Sequence, residues 1–301
     1  MYILYNSIIR NNDNYGLVEG AGSNYQRIIT LIAICKAFNL DFIHYKINIG
    51  HNSTNMDFNL YDELWDKFFN IKKFVKLKSS VKIDDFKEIK VDAILPQHLE
   101  AIIYYNQFHP NDNKFLLYIK NPYFIIDSNP NDFYELIQND IIDAYNSANS
   151  DRKLIYNNKI TNIAIHIRVY NDFDNLDGSD NNYLDGYIKT NNCRFIYTED
   201  FYINLINKLN VKYPNNQIYI FSEKKYFDLK YKKLRNFTNL NFQLDMNNFD
   251  TFHHLVNSDV LVLGTSSFSH LAGLYNNNQV IYLDYEYFPK SLNKWLELKD
   301  L

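Results

Sequence analysis

Apolar and polar positions follow a clear rhythm in the second half of the chain. Short apolar runs recur at Asn162–Arg168, Gln217–Ser222, Asp259–Gly264 and Gln279–Leu283, with stretches of helical spacing between them. That alternation predicts a parallel α/β sheet. Between the first two runs, Thr198 precedes Glu199 and Asp200, and then Phe201, Leu205, Ile206 and Leu209. A hydroxyl cap, an acidic first turn and apolar residues on one face predict a helix there. The first half is less regular. It begins with a short strand candidate, a glycine-rich loop at Gly20–Gly22, a helix from about Ser23 to Phe38 and a strand at Asp41–Tyr45. Further helices are predicted over Leu60–Phe69, Gln97–Asn106 and Asp132–Asn146, with strands near Phe74, Val91, Phe115 and Phe124. Periodicity lapses over Ser147–Lys159, which predicts a linker and divides the chain into an α/β domain at 1–155 and a second, nucleotide-binding type of α/β domain at 156–301. A length of 301 residues suits two such cores.

Composition narrows the function. The formal net charge is −4 and the pI is near 6.1, so the chain lacks the basic field of a nucleic-acid binder. Any anionic ligand must be gripped locally. The only cysteines, Cys35 and Cys193, are far apart and have no nearby His or Cys, so neither a disulfide framework nor a zinc site is expected. Their scarcity suits a reducing compartment. The opening residues lack a basic segment followed by a long apolar stretch, and no run reaches the roughly 18 apolar residues of a span, so a cytoplasmic protein without a membrane span is expected. The 26 Tyr and 22 Phe supply many large rings to bury.

Two segments carry the chemistry. In NIAIHIRVYNDF, strand alternation puts Ile163, Ile165 and Ile167 on one face and Ala164, His166 and Arg168 on the other. The last two stand at the carboxyl end of a predicted parallel strand, where open α/β sheets bind ligands, and a guanidinium there can bridge the oxygens of a diphosphate. A core histidine and a surface arginine would give the same pattern. In DVLVLGTSSFSHLAGL, an apolar strand ends at Gly264, and Thr265, Ser266 and Ser267 open a helix. Free N–H groups, the helix dipole and hydroxyls favour phosphate at such a start. A serine there also serves simply as a cap. Upstream, Asp250 either caps a helix or accepts hydrogen bonds from a guanine base, while the adjacent His253 and His254 face different ways and do not make a metal pair.

Other features are weaker. Gly20, Gly22, Ser23 and Asn24 introduce the first long helix, where backbone N–H groups can meet a donor phosphate or simply make a tight turn. Tyr25 occupies the place of the third glycine of a dinucleotide fingerprint, which disfavours a nicotinamide cofactor. Asp172 and Asp174 form the short D-x-D pattern of GT-A glycosyltransferases, but Asp177 stands where a calcium loop needs glycine.

In order and type, the segments Gly20–Arg27, His166–Arg168 and Asp250–Ser267 resemble the fucosyltransferase superfamily, which includes the protein O-fucosyltransferases and the core and nodulation fucosyltransferases. The resemblance implies a GT-B fold, two Rossmann-like domains facing across a cleft. It implies that Arg168 contacts the donor β-phosphate, His166 lies by ribose or phosphate, Asp250 reads guanine, and Ser266 and Ser267 hold phosphate. Val169 departs from the second arginine of many relatives. The implied activity is inverting, metal-independent transfer of fucose from GDP-fucose to a glycan or glycoprotein acceptor, with no cofactor. Asp172 or Asp174 is the candidate general base. Two alternatives stand beside it: a GT-B transferase with another nucleotide sugar, and a noncatalytic nucleotide- or glycan-binding module.

Overall fold

The computed structural model describes residues 2–5, 20–44, 58–75, 86–108, 114–127, 129–169, 182–184, 187–189, 195–283 and 291–301. The chain divides into two units, 1–150 and 151–301.

The first unit is built on a parallel sheet in the order β2-β1-β4-β3, with β1 at Tyr2–Tyr5, β2 at Asp41–His44, β3 at Phe86–Ala93 and β4 at Lys114–Asn121. Helix α1 (Ala21–Ala37) follows β1 and is buried on nearly every side from Ala21 to Cys35. A helix apolar all round belongs inside a core. Three of its buried polar residues have hydrogen-bond partners within the unit. Asn24 Nδ2 donates to the Gly20 carbonyl at 3.2 Å, Tyr123 OH donates to Gln26 Oε1 at 3.1 Å, and the Thr30 and Tyr134 hydroxyls meet at 2.8 Å. Helix α2 (Phe58–Phe69) sets Trp65 against Phe69 at 5.6 Å between ring centroids and against Phe68 at 5.3 Å, while Tyr25 of α1 lies 4.8 Å from Phe69.

Two short apolar segments differ from the sequence expectation. Around Phe74 there is no strand: Asn70 turns left-handed at φ 51° after α2, and Ile71–Lys73 forms a 3-10 turn. Around Phe124 the chain is helical, as α4 (Tyr123–Ile126) starting at Pro122. Periodicity does not distinguish a buried strand from a buried helical turn over four apolar residues, and the proline starts the turn here. The helix expected over Asp132–Asn146 is two. After α3 (Pro96–Phe108), the chain forms α5 (Pro130–Tyr134) and then α6 (Gln138–Asn149), which reaches into the stretch expected as a linker.

The second unit has a six-stranded parallel sheet in the order β10-β9-β5-β11-β12-β13. These strands are β5 (Thr161–His166), β9 (Asn216–Ser222), β10 (Leu240–Leu244), β11 (Val260–Val262), β12 (Gln279–Tyr282) and β13 (Leu296–Glu297). Their centre is buried on both faces, which is why β5 reads as an almost unbroken apolar run. A small antiparallel sheet of β6 (Asn182–Leu184), β7 (Tyr187–Lys189) and β8 (Phe195–Tyr197) lies in sequence between β5 and α7 (Glu199–Lys212). Thr198 caps α7 as expected, its hydroxyl accepting from Phe201 N at 3.2 Å. Helix α8 (Lys224–Lys230) joins β9 to β10, α9 (Asn248–Val256) returns to β11, and α10 (Ser267–Tyr275) joins β11 to β12.

Strand order decides where a ligand can sit. From β5 the chain winds outward through β9 and β10; α9 then carries it back to β11, and it winds outward the other way through β12 and β13. The winding reverses between β5 and β11. In open α/β sheets the crevice beyond the carboxyl ends at such a reversal is the binding place.

Candidate functional site

Both chemistry-bearing segments end at that reversal. Ile163, Ile165 and Ile167 are buried, and beyond them His166 is half-buried and Arg168 reaches the surface. Across the junction, β11 runs into Leu263, Gly264, Thr265 and Ser266 before α10 begins. A side chain at Gly264 has no room, since a Cβ would stand 2.2 Å from the His166 carbonyl oxygen and 3.1 Å from His166 Nδ1. The glycine therefore lets the two strand ends close on each other.

The start of α10 is tightly braced. The Ser266 hydroxyl oxygen accepts from Phe268 N at 3.3 Å, which makes Ser266 the cap, and Ser266 N donates to the Gly264 carbonyl at 2.8 Å. The buried Ser269 hydroxyl lies 3.1 Å from Gly264 N, 3.2 Å from Gly264 O and 3.1 Å from Ser266 O. Thr265 is buried, whereas Ser266 and Ser267 are half-exposed. A capping serine still has its hydroxyl proton to donate, so capping and anion binding are compatible here.

Arg168 brings positive charge to this reversal. Its Nη1 lies 3.3 Å from Glu223 Oε1, at the end of β9, with both side chains well exposed. Such a pair contributes only about 0–1 kcal/mol, so an anion with more charge can replace the carboxylate. Beside it, burial first and the Arg168 charge second push the His166 imidazole down to about 3. The ring is therefore neutral at pH 7. His166 Nδ1 is buried and has no hydrogen-bond partner among the described residues; it lies beside the Gly264 backbone.

No protein-family model matches the chain, and no curated protein matches it. Solved structures do. The chain is similar to POFUT1 in complex with GDP-fucose, with a TM-score of 0.51 at 12% identity over 92% of this chain and 95% of that one. The fold is of the GT-B type. A second POFUT1 structure, in complex with GDP, gives a TM-score of 0.48 at 10% identity over 92% of this chain and 94% of that one. The E. coli heptosyltransferase WaaC with ADP-2-deoxy-2-fluoro heptose gives 0.42 at 9% identity over 99% and 92%.

In this GT-B chain the sequence-derived candidates are divided between the two units. His166, Arg168, Thr265, Ser266 and Ser267 gather at the β5/β11 reversal of the second unit. Gly20, Gly22, Ser23 and Asn24 open α1 in the first unit, where Gly20 is exposed and Gly22 and Asn24 are buried. Asp172 and Asp174 lie outside the described residues. The cap of α9 is Asn247, not Asp250: the Asn247 side chain accepts from Phe249 N at 2.8 Å. Asp250 sits in the first turn with its carboxylate 2.7 Å from Arg152 Nη1. An asparagine at the start of an Asn-rich run is as good a cap as an aspartate further on, so sequence alone does not choose.

His253 and His254 are both buried, with ring centroids 6.4 Å apart and ring planes at 86°. His254 Nδ1 donates to the Asp250 carbonyl at 2.7 Å, and its Nε2 accepts from Ile155 N at 3.1 Å. Among the described residues no group of three His, Cys, Asp or Glu side chains could hold a metal ion, and no helix is long and apolar enough to cross a membrane.

Sequence reasoning missed Glu223, Arg152 and Ser269. Arg152 and Glu223 acquire their places through pairing with residues far along the chain, Asp250 and Arg168, whereas Ser269 braces its own turn through Gly264 and Ser266. A signal existed for Glu223: an acidic residue directly after the second strand of a predicted α/β sheet.

Proposed function

We propose that the chain is a glycosyltransferase that transfers a sugar from a nucleoside diphosphate donor, with GDP-fucose the favoured donor and a glycan or glycoprotein hydroxyl the acceptor. One observation carries the reading. Arg168 and the Ser266/Ser267 helix start stand at the adjacent carboxyl ends of β5 and β11, where the sheet reverses its winding. The GT-B fold and the ordered motifs around His166–Arg168 and Asp250–Ser267 support the choice of class and donor.

In this mechanism the donor diphosphate replaces Glu223 on Arg168 and takes further hydrogen bonds from the hydroxyls and N–H groups at the start of α10. The acceptor oxygen attacks the anomeric carbon from the face opposite the diphosphate. As the C–O bond to phosphate breaks, negative charge grows on the leaving oxygen, and Arg168 stabilises it without a metal. The acceptor's proton passes to a carboxylate, for which Asp172 and Asp174 are the candidates. His166, held neutral, positions the strand end and offers no charge of its own.

Arg168→Ala tests the mechanism. It is expected to reduce transfer by at least about a hundredfold, the usual effect of losing a group aimed at developing charge, with the circular dichroism spectrum and unfolding midpoint unchanged. Near-normal turnover in this variant would overturn the assignment. Binding of GDP and GDP-fucose in preference to UDP- and dTDP-sugars is expected for the favoured donor; the reverse preference keeps a transferase and changes its donor. Binding without any transfer or donor hydrolysis favours the noncatalytic module.

A further inference from the structure

We propose that Glu223 recognises the vicinal diol of the donor's ribose, so that one carboxylate guards Arg168 in the empty site and selects a ribonucleotide once the diphosphate has displaced it. This rests on the donor site proposed above. The argument starts from register. His166 of β5 pairs with Phe221 of β9, and two residues further along each parallel strand stand Arg168 and Glu223, side by side. In dinucleotide-binding sheets wound in this order, the phosphates lie at the turn after the first strand and an acidic residue further along bonds a ribose hydroxyl; the same order here sets Glu223 within reach of a ribose beside Arg168. Here β5 is the first strand and β9 the second.

Among the described residues, two acids at the ends of β9 and β10 differ in what holds them. Asp245, left-handed at φ 57° after β10, is engaged by the fold: its Oδ1 accepts from Lys224 N at 2.9 Å at the start of α8. Glu223 precedes α8 directly, yet its side chain makes no capping hydrogen bond. Its carboxylate turns instead to Arg168 and is half-exposed.

When a diphosphate takes Arg168, the Glu223 carboxylate is left close to like charge and needs donors. A vicinal diol offers two adjacent O–H groups, which match the two oxygens of a carboxylate. Phosphate oxygens offer none. The ribose, joined directly to the diphosphate, is the nearest part of the ligand able to supply them.

The test compares dissociation constants, by titration calorimetry, of GDP, 2′,3′-dideoxy-GDP, inosine diphosphate and inorganic pyrophosphate for the wild-type protein and Glu223→Gln. The wild type is expected to bind GDP at least about tenfold more tightly than the dideoxy compound, as loss of hydrogen bonds to a charged group implies. In Glu223→Gln that ratio is expected to fall to about threefold or less, while pyrophosphate binds more tightly because it no longer competes with the Glu223 carboxylate for Arg168. The inosine diphosphate ratio, which senses the guanine 2-amino group, should be the same in both proteins. Equal binding of GDP and the dideoxy compound by the wild type, or an undiminished ratio in Glu223→Gln, overturns the ribose role and leaves the diphosphate site standing. A change confined to inosine diphosphate also overturns it, by assigning Glu223 to the base. If the wild type binds none of these compounds, nor ADP or UDP, both this role and the donor site fall together.

Discussion

Gly264 and His166 depend on each other through a contact that leaves no space for a methyl group. A Cβ at 264 would stand 2.2 Å from the His166 carbonyl oxygen, a backbone atom that cannot swing away. Gly264→Ala is therefore expected to lower unfolding free energy by about 2 kcal/mol or more, the upper part of the range for overpacking, read from urea denaturation. It should also weaken nucleotide binding, because the β11 end can only move by carrying Ser266 with it. Three histidines of the second unit give a pH dependence of defined sign. Burial pushes His166 down to about 3 and His253 to about 4, and lowers His254, against an ordinary value of 6.5. The native state thus binds fewer protons than the unfolded chain between those limits. Their contribution is fully present above pH 6.5 and is lost as pH falls, down to about 4 for His253 and about 3 for His166. The urea midpoint is expected to drop between pH 7 and pH 4.5, and His253→Gln to make that drop shallower.

Helices α9 and α10 show how elements hold the site. The irregular segment after α6, expected from its polarity to be a linker, begins the second unit and is laid along α9: Ile155 N donates to His254 Nε2, Tyr156 OH donates to the His254 carbonyl at 2.7 Å, and Arg152 pairs with Asp250. Polar residues read as loop in a sequence because hydrogen bonding to a distant helix leaves no periodic trace. Both members of the Arg152–Asp250 pair are part-exposed and Arg152 also lies over the Phe249 ring, so Arg152→Ala is expected to cost about 1–2 kcal/mol, measured by the same urea titration. In the first unit, α2 acts through its aromatic face. Trp65 is almost fully buried among Tyr25, Tyr61, Phe68 and Phe69. Trp65→Ala is expected to destabilise that unit by about 3–5 kcal/mol, the usual loss for a large buried ring. His44 ends β2 with Nε2 2.9 Å from both Asp66 oxygens, and Tyr25 OH also donates to Asp66, so a single carboxylate joins β2, α1 and α2.

At the scale of the whole molecule, the reversal of winding in the second unit is the feature on which the functional reading depends. If a nucleoside diphosphate binds there through Arg168 and the α10 start without a metal, GDP should raise the melting temperature equally with and without EDTA. Hydrogen exchange should slow at Ser266–Phe268 on binding, while the aromatic core around Trp65 in the first unit stays unchanged. Stabilisation abolished by EDTA would mean that the diphosphate is held through a metal ion.

Much of this architecture is legible in the order of residues. The parallel α/β class, the four strands at Asn162, Gln217, Asp259 and Gln279, and the cap at Thr198 all follow from local periodicity and from hydroxyls set before acidic turns. His166, Arg168 and Ser266 were recognisable because strand ends and helix starts have local signatures. Strand order had no such signature: nothing in β11 itself says that it lies beside β5 and not beside β10. That neighbour relation, fixed by pairing between distant segments, decides that Arg168 and Ser266 flank one crevice, that Gly264 must be glycine, and that Glu223 meets Arg168 while Asp250 meets Arg152. Local periodicity names the elements, but contacts between segments far apart in the chain choose which ends come together, and only tertiary packing makes that choice.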